Sequence, residues 1–215
     1  MLKVVLSVMV LIGFLSPVFS QNSLPDYNFA SGTWNFIGSR LHQEDEKAGL
    51  AKLNIHVPQN SKMIYSFNAR YESGAEDGHA GFGVHLFADT VHPKASWGNG
   101  ESWLLWLNYD EKPVSPDIPA GFSAQVYRSR SHSRMDLVQT IDLNQFGNLI
   151  TSEILAQPIP IRIWLDGETG EVRIYDPIDQ SYYYYFYLES DGLPLRGDWI
   201  ALRTNGVHLS FGLDS

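Results

Sequence analysis

Residues 63–88, MIYSFNARYESGAEDGHAGFGVHLFA, carry the clearest structural pattern in the sequence. Apolar and polar side chains alternate through residues 65–71, and they alternate again through residues 82–86. A period of two places every second side chain on one face of a β-strand, so this pattern predicts two strands that each bury one face. The charged, glycine-containing segment between the two runs is typical of a turn.

The same alternation recurs in residues 53–57, 122–126, 161–165 and 207–211. Glycine, proline, asparagine and aspartate separate these runs, and segments compatible with a helix are brief, for example around residues 143–155. Gly167 and Gly170 fall in a short connection typical of a hairpin, and Asn205-Gly206 is a strong two-residue turn signal. Many short strands at this spacing predict an all-β protein, either a sandwich or a barrel.

The first twenty residues, MLKVVLSVMVLIGFLSPVFS, have the layout of a secretory signal peptide. Lys3 precedes an apolar run over residues 4–15, and the small residues Val18 and Ser20 precede Gln21. The apolar run is shorter than the roughly 20 residues that a spanning helix needs. We therefore expect residues 1–20 to be a cleaved signal peptide, with no integral membrane segment after cleavage, and residues 21–215 to form a single domain.

The amino-acid composition indicates the cellular compartment of the protein and excludes some classes of partner. The chain has 24 acidic residues against 15 Lys and Arg, a formal net charge of −9, and it has no basic cluster. Nucleic acid and anionic membranes are therefore not expected as partners. An exported chain without cysteine and without an Asn-x-Ser/Thr sequon fits a bacterial periplasm or cell surface, which is the localisation that we predict.

Residues 180–188, QSYYYYFYL, form an unusual aromatic run. In a strand, one face would hold Tyr182, Tyr184, Phe186 and Leu188, and the other would hold Tyr183, Tyr185 and Tyr187. The face that contains Phe186 and Leu188 is the better candidate for the core. The opposite face would present tyrosine rings with polar tips to solvent or to a partner.

Residues 94–110, KASWGNGESWLLWLNYD, are the segment that the sequence most favours as a ligand-binding site. A glycine-rich loop leads into a strand in which Trp103 shares one face with leucines, whereas Trp106 and Asn108 share the other. Indole rings beside amides and carboxylates are how proteins hold sugars, because the ring contacts the apolar sugar face and the polar groups bind hydroxyls. The candidate ligand-binding residues are Trp97, Asn99, Glu101, Trp106, Asn108, Tyr183 and Tyr185. We expect a tyrosine face of residues 182–188 and Trp106 to line one concave aromatic surface.

Three stretches together resemble the concanavalin A-like lectin/glucanase superfamily, which also contains laminin-G-like domains. They are residues 63–88, residues 159–176 (IPIRIWLDGETGEVRIYD) and residues 197–215 (GDWIALRTNGVHLSFGLDS). The resemblance covers most of residues 30–215. It implies a two-sheet antiparallel β-sandwich, a concanavalin A-like jelly roll with one concave sheet, so that residues 21–215 form one lectin-like domain. The first stretch looks like the central strand pair on which a ligand extends, the second like a back-sheet hairpin, and the third like the terminal pair that closes the sandwich and covers an edge.

The glucanases of that superfamily carry carboxylates at alternate positions of one strand. Residues two apart share a face, so two carboxyl groups can flank one glycosidic bond at about 5–5.5 Å. The acidic runs at residues 44–46, 166–168 and 189–191 lack a third carboxylate or lie in a turn. We therefore predict no catalytic residue.

Metal sites are also not expected from the sequence. No histidine spacing suits a metal ion, and thiolate sites need the cysteine that the chain lacks. The resemblance implies that a loop could hold a structural calcium ion, near Asp89, Asn99, Asp110 or Asp117. None of these lies in a run of oxygen ligands, so no cofactor is predicted.

Three functions follow as hypotheses. The first is an exported, non-catalytic, lectin-like binding protein of the bacterial cell envelope that recognises a glycan. The second is a structural subunit of a periplasmic or surface assembly such as a filament sheath, with envelope proteins as partners, because tyrosine and tryptophan are also enriched at protein interfaces. The third is a glycoside hydrolase with an unrecognised carboxylate pair.

Overall fold

The computed structural model describes residues 4–5, 26–75, 79–146 and 150–213. Most of the predicted signal peptide therefore lies outside the described residues. The strands, in chain order, are β1 (Val4–Val5), β2 (Tyr27–Ser31), β3 (Trp34–Ile37), β4 (Arg40–Gln43), β5 (Ala51–Gln59), β6 (Lys62–Gly74), β7 (His79–Ala88), β8 (Ser102–Asp110), β9 (Gly121–Ser129), β10 (Met135–Asp142), β11 (Ile159–Asp166), β12 (Glu171–Tyr175), β13 (Tyr183–Tyr187), β14 (Gly197–Thr204) and β15 (Val207–Gly212).

These strands form two antiparallel sheets. Sheet A has the order β13-β12-β11-β6-β15-β4-β3, with β1 pairing alongside β6 in parallel, and sheet B has the order β10-β9-β8-β7-β14-β5-β2. The prediction of an all-β, two-sheet sandwich is confirmed. A single turn of 3-10 helix (Asn144–Phe146) and the short helix α1 (Ser152–Leu155) lie within the segment predicted to interrupt the strands. None of the helices in the described ranges has the length and apolar character needed to cross a bilayer.

The core lies between the sheets and follows the predicted alternation. In β6 the residues at every second position, from Met63 to Ala69, are buried, and the residues between them are partly exposed. Phe67, Phe82 and Phe211 meet at the centre, with ring centroids 5.5–6.0 Å apart in edge-to-face arrangements. Such aromatic contacts are worth about 0.5–1.5 kcal/mol beyond the area that they bury. This cluster joins β6 and β15 of sheet A to β7 of sheet B.

The predicted hairpin at residues 165–172 is present. β11 and β12 pair in sheet A with Asp166 opposite Glu171, and the Gly170 amide donates to the Asp166 carbonyl at 2.8 Å. Gly170 has a φ of 75°, which explains the need for glycine in this turn.

Two of the expected strand pairs are wrong. β6 and β7 belong to opposite sheets, so residues 63–88 do not form one central pair, although β7 does lie in the middle of sheet B. The Asn205-Gly206 turn exists, but it carries the chain from β14 in sheet B to β15 in sheet A. Both terminal strands lie inside their sheets, so neither covers an edge. The same short turn serves a hairpin or a crossover, and only the distant partner strands decide between them.

The tyrosine run forms β13, an edge strand of sheet A. Phe186 and Leu188 are buried and Tyr183, Tyr185 and Tyr187 are exposed, which confirms the predicted division into two faces for residues 183–188. Tyr182, which was predicted on the face of Phe186, precedes the strand and is 59% exposed. The prediction that these rings share a surface with Trp106 is wrong. Trp106 lies on β8 in sheet B, and the outer faces of the two sheets point away from each other.

Candidate functional site

A cleft of about 510 Å³ opens on the outer face of sheet B. Its base is formed by side chains of β8 and β9 that alternate with core residues, among them Trp106, Asn108, Gln125 and Tyr127. The loop after β8 contributes further polar and apolar residues. Its volume falls within the range of about 300–1,000 Å³ that is usual for small-molecule sites. We refer to this feature as the cleft.

The indole of Trp106 lies across bare backbone of β7. A Cβ atom at Gly83 would lie 2.9 Å from Cε3 of the Trp106 ring, and one at Gly81 would lie 2.9 Å from its Cε2. Both distances are too short for a real side chain, so the two glycines let the ring pack against the strand. One ring face is thereby held by the sheet, while Trp106 remains partly exposed to the cleft.

Polar groups are fixed beside this ring. Trp106 Nε1 donates to Asn108 Oδ1 at 3.2 Å, and the Tyr127 hydroxyl donates to Gln125 Oε1 at 2.6 Å. The amide NH₂ groups of Asn108 and Gln125 are donors in addition to these bonds. The arrangement therefore combines a rigid aromatic face with oriented hydrogen-bonding groups.

The connection between β7 and β8, residues 89–101, folds over the outer face of sheet B, and we call it the covering loop. Lys52 anchors it by donating from Nζ to the Ser96 carbonyl, the Ser96 hydroxyl and the Gly98 carbonyl at 2.6–2.9 Å. Asn54 Nδ2 donates to the His92 carbonyl at 3.0 Å. Polar side chains of β5, which alternation predicts to face water, are consequently buried beneath the loop.

Arg203 of β14 joins the covering loop to the cleft. Its Nη1 donates to the Trp97 carbonyl at 2.7 Å, and its Cζ lies 4.4 Å from the Trp97 ring centroid and 5.9 Å from that of Trp106. The guanidinium therefore makes cation–π contacts with both rings. Burial lowers the pKa of Arg203 to about 10, so it remains a cation at neutral pH.

Burial also lowers the pKa values of two residues near Arg203, namely Lys52 and His85. Burial, followed by the charge of Arg203, lowers the pKa of Lys52 to about 7. Burial, followed by the charges of Lys52 and Arg203, lowers the pKa of His85 well below its usual value, so its imidazole is neutral at pH 7. The His85 Nδ1 atom shares a 3.1 Å hydrogen bond with Ser102.

The structure brings together three of the seven predicted ligand-binding residues. Trp97, Trp106 and Asn108 all line the cleft. Their role in binding remains a prediction. The alternation predicted the shared face of Trp106 and Asn108, and Trp97 reaches the cleft from the glycine-rich loop.

The other four lie elsewhere. Asn99 is fully buried, where its Nδ2 donates to Asn54 Oδ1 at 3.3 Å, so it holds the covering loop instead of facing a ligand. Glu101 lies outside the cleft and pairs with Arg128 at 3.7 Å. Tyr183 and Tyr185 are on the outer face of sheet A, on the opposite side of the sandwich.

Gln125, Tyr127 and Arg203 are cleft residues that the sequence analysis did not identify. Each alternates with core residues of its strand, so the alternation alone would place it on the outer face. Their proximity to Trp106 depends on the order of strands in sheet B, with Trp106 opposite Gln125 in β9 and opposite Gly83 in β7. That order has no local signal in the sequence.

In two of the three acidic runs considered for catalysis, an aspartate accepts hydrogen bonds from backbone amides of its own turn. Asp45 Oδ1 accepts the amides of Lys47 and Ala48, and Asp166 Oδ1 accepts the Glu168 amide. Within the described ranges, no three His, Asp or Glu side chains are grouped so that they could hold a metal ion. Of the loop carboxylates considered for calcium, Asp89 accepts the Glu101 amide at 2.9 Å.

The outer face of sheet A carries a second aromatic feature. Arg173 Cζ lies 4.3 Å from the Trp164 ring centroid and 5.0 Å from that of Tyr183, and Arg173 also pairs with Glu171 at 2.7 Å. Unlike Arg203, this arginine therefore has an acidic partner. The face offers matched control positions for experiments on the cleft.

No family model and no curated protein sequence match the chain. Solved structures do match it. The carbohydrate-binding module CBM66 from Bacillus subtilis matches with a TM-score of 0.54 at 11% identity, covering 86% of this chain and 91% of that one. A legume lectin-like domain from Entamoeba histolytica matches with a TM-score of 0.51 at 10% identity, covering 87% and 86%. A Bacillus subtilis protein of unknown function with a galectin-like fold gives 0.52 at 12%, also covering 87% and 86%. Likeness at these identities shows the fold alone, and the fold is the concanavalin A-like jelly roll that the sequence resemblance implied.

Proposed function

We propose that the protein is a non-catalytic, lectin-like module that binds a glycan in the cleft on sheet B. The observation that carries this proposal is the Trp106 indole, which lies on Gly81 and Gly83 and turns its remaining surface toward the cleft. Asn108 and Gln125 place amide groups beside it. A pyranose ring suits such a site because its apolar face stacks on the indole while its hydroxyls bond to amides.

The fold supports the same class of ligand without deciding it. Two of the matching structures are named as a carbohydrate-binding module and a legume lectin-like domain. One fold hosts many functions, so the argument depends on the chemistry of the cleft. The structural contacts of the acidic turns at Asp45 and Asp166 are consistent with a non-catalytic module.

The proposed location is the bacterial cell envelope, after export. Lys3, the apolar run at residues 4–15 and the small residues before Gln21 support a cleaved signal peptide. The strands β2–β15, which form both seven-strand paths, begin at Tyr27, so cleavage at residue 20 would leave these paths intact.

A glycan screen followed by calorimetry on two tryptophan variants tests the proposal. Trp106→Ala should weaken binding of the best glycan by about 1–3 kcal/mol, because a central aromatic contact is lost. Trp164→Ala removes a partly exposed tryptophan from the opposite face and should leave the affinity unchanged. Equal affinity in Trp106→Ala and the unchanged protein would exclude the cleft as the binding site.

The exposed side of β13 favours a second candidate, a structural subunit of an envelope assembly. Tyr185 and Tyr187 are 57% and 59% exposed on an edge strand of sheet A, and an edge strand can pair with another chain. Light scattering of the purified protein and of its Tyr185→Arg variant distinguishes the two functions. An assembly that Tyr185→Arg dissolves and Trp106→Ala does not would favour the subunit.

A further inference from the structure

Two basic side chains are buried side by side on the outer face of sheet B. Lys52 and Arg203 are directly opposite each other in the pairing of β5 with β14, and they are 0% and 2% exposed. Among the ion pairs of the described residues, neither Lys52 nor Arg203 has a carboxylate partner. Burying a charge is costly unless an opposite charge or strong hydrogen bonds compensate.

Their hydrogen-bond partners are neutral. Lys52 is bonded to oxygens of Ser96 and Gly98, and Arg203 is bonded to the Trp97 carbonyl and, at 3.2 Å, to Asn205 Oδ1. These bonds orient both side chains, and Arg203, which remains a cation at neutral pH, keeps its charge without an acidic partner. Two arginines on the outer face of sheet A differ, since Arg70 pairs with Glu72 at 2.6 Å and Arg173 pairs with Glu171.

The lack of an acid beside Arg203 is notable in a chain with 24 acidic residues. Of the described residues that line the cleft, Asp110 is the only carboxylate. It follows Trp106 by four positions in β8, which is about 13 Å along a strand. Lys112 and His79 lie in the cleft lining as well, and His79 is opposite Asp110. The Trp106 end of the cleft therefore keeps a net positive charge, although the protein as a whole is negative.

We propose that the glycan is acidic, and that Arg203 binds a carboxylate or sulfate group on the sugar unit that stacks on Trp106. The inference depends on the proposed function, because it concerns the ligand of the same cleft. Arg203 Cζ is 5.9 Å from the Trp106 ring centroid, so a charged substituent of a stacked sugar lies within its reach. A charge-assisted bond in this buried setting is stronger than the same bond in water.

Changing the charge of the ligand tests the proposal on the unaltered protein. The protein is screened against an array of neutral, uronate-bearing and sulfate-bearing oligosaccharides, and each acidic hit is compared with its methyl ester or its desulfated form. We expect the hits to be acidic and to lose at least about tenfold in affinity when the charge is removed, a loss of about 1.4 kcal/mol. The two chemical treatments distinguish a carboxylate ligand from a sulfate ligand.

The other outcomes overturn different conclusions. Hits that are neutral, or that bind equally after esterification or desulfation, overturn this inference and leave glycan binding in place. Absence of binding across the array contradicts glycan binding itself, and the inference with it.

Substitution of Arg203 gives a second, independent readout. Arg203→Gln should abolish the preference for the acidic glycan over its neutral form, whereas Arg173→Gln on sheet A should retain it. Thermal unfolding of both variants checks that they are folded, and Arg203→Lys, which keeps a positive charge, should retain part of the preference. A folded Arg203→Gln variant with the full preference would overturn the inference, and if that variant does not fold, the comparison of charged and uncharged ligands decides.

Discussion

Lys52 buries its side-chain amino group beneath the covering loop. Its three hydrogen bonds to Ser96 and Gly98 fix the loop against β5, and the loop in turn presents Trp97 to Arg203. The cost of this arrangement appears in the pKa of Lys52, which burial and the nearby charge of Arg203 lower to about 7. One lysine therefore links the pH of the solution to the structure that borders the cleft.

This shift predicts how stability depends on pH. Between the folded pKa of about 7 and the ordinary value of 10.5, the unfolded chain holds a proton on Lys52 that the folded protein has lost. The free energy of unfolding should therefore rise with pH through this window, by at most about 1.4 kcal/mol per pH unit from this residue. Guanidinium unfolding of the unchanged protein and of Lys52→Met at pH 7, 8 and 9 measures it. The stability difference between the two should move in favour of the unchanged protein as pH rises, and a constant difference would contradict the assigned pKa.

The alternation of inward and outward side chains within single strands predicted part of the cleft. It placed Trp106 and Asn108 on the outer face of β8 and Trp103 in the core, as observed. The alternation cannot show which strands are neighbours, so Arg203 was not associated with Trp106. It also gives no sign that Lys52, which lies on the outer face as the alternation indicates, is buried beneath the covering loop.

β13 shows at the scale of one element how a strand of aromatic residues can serve two environments. Phe186 is opposite Val172 of β12 and is buried in the core. Tyr185 and Tyr187, on the other face, contact each other edge to face at 6.2 Å while remaining exposed. The strand is therefore held to the sandwich by one face and by its pairing with β12.

Two substitutions in β13 should differ in their effect on stability. Phe186→Ala should lower the free energy of unfolding by about 3–5 kcal/mol, because it removes a buried ring and leaves a cavity. Tyr185→Ala removes an exposed ring and should change it by about 0.5 kcal/mol or less. Equilibrium denaturation of both variants measures the effects, and equal losses would show that both faces of β13 are covered in solution.

The assignment of strands to sheets is where local patterns stop being informative. The hairpin between β11 and β12 and the crossover between β14 and β15 both use short, glycine-containing turns. The chain follows one path or the other because β15 finds its place between β6 and β4, which are remote in sequence. Alternation predicts the strands, but the packing of distant residues such as Phe67 and Phe211 determines their partners.

At the scale of the whole molecule, the two outer faces of the sandwich have different characters. Sheet B carries the cleft, with two buried basic residues and a covering loop, and sheet A carries exposed tyrosines and two arginines that have acidic partners. The whole chain has a formal net charge of −9, whereas the Trp106 end of the cleft is positive. Under the proposed function, one face would bind the glycan and the other would remain for contacts with envelope proteins.

Export is the prediction that concerns the whole chain. We expect the mature protein to begin near Gln21, because Lys3, the apolar run at residues 4–15 and the small residues before position 21 match the recognition of a signal peptide. N-terminal sequencing of the protein from fractionated bacterial cells measures the start and the compartment. Leu11→Lys places a charge in the apolar run and should hold the protein in the cytoplasm with Met1 retained, whereas Leu193→Lys, at a site 72% exposed in the folded protein, should leave export unchanged. An unaltered protein recovered from the cytoplasm with Met1 in place would contradict export, and glycan binding in the cleft would then need a ligand from inside the cell.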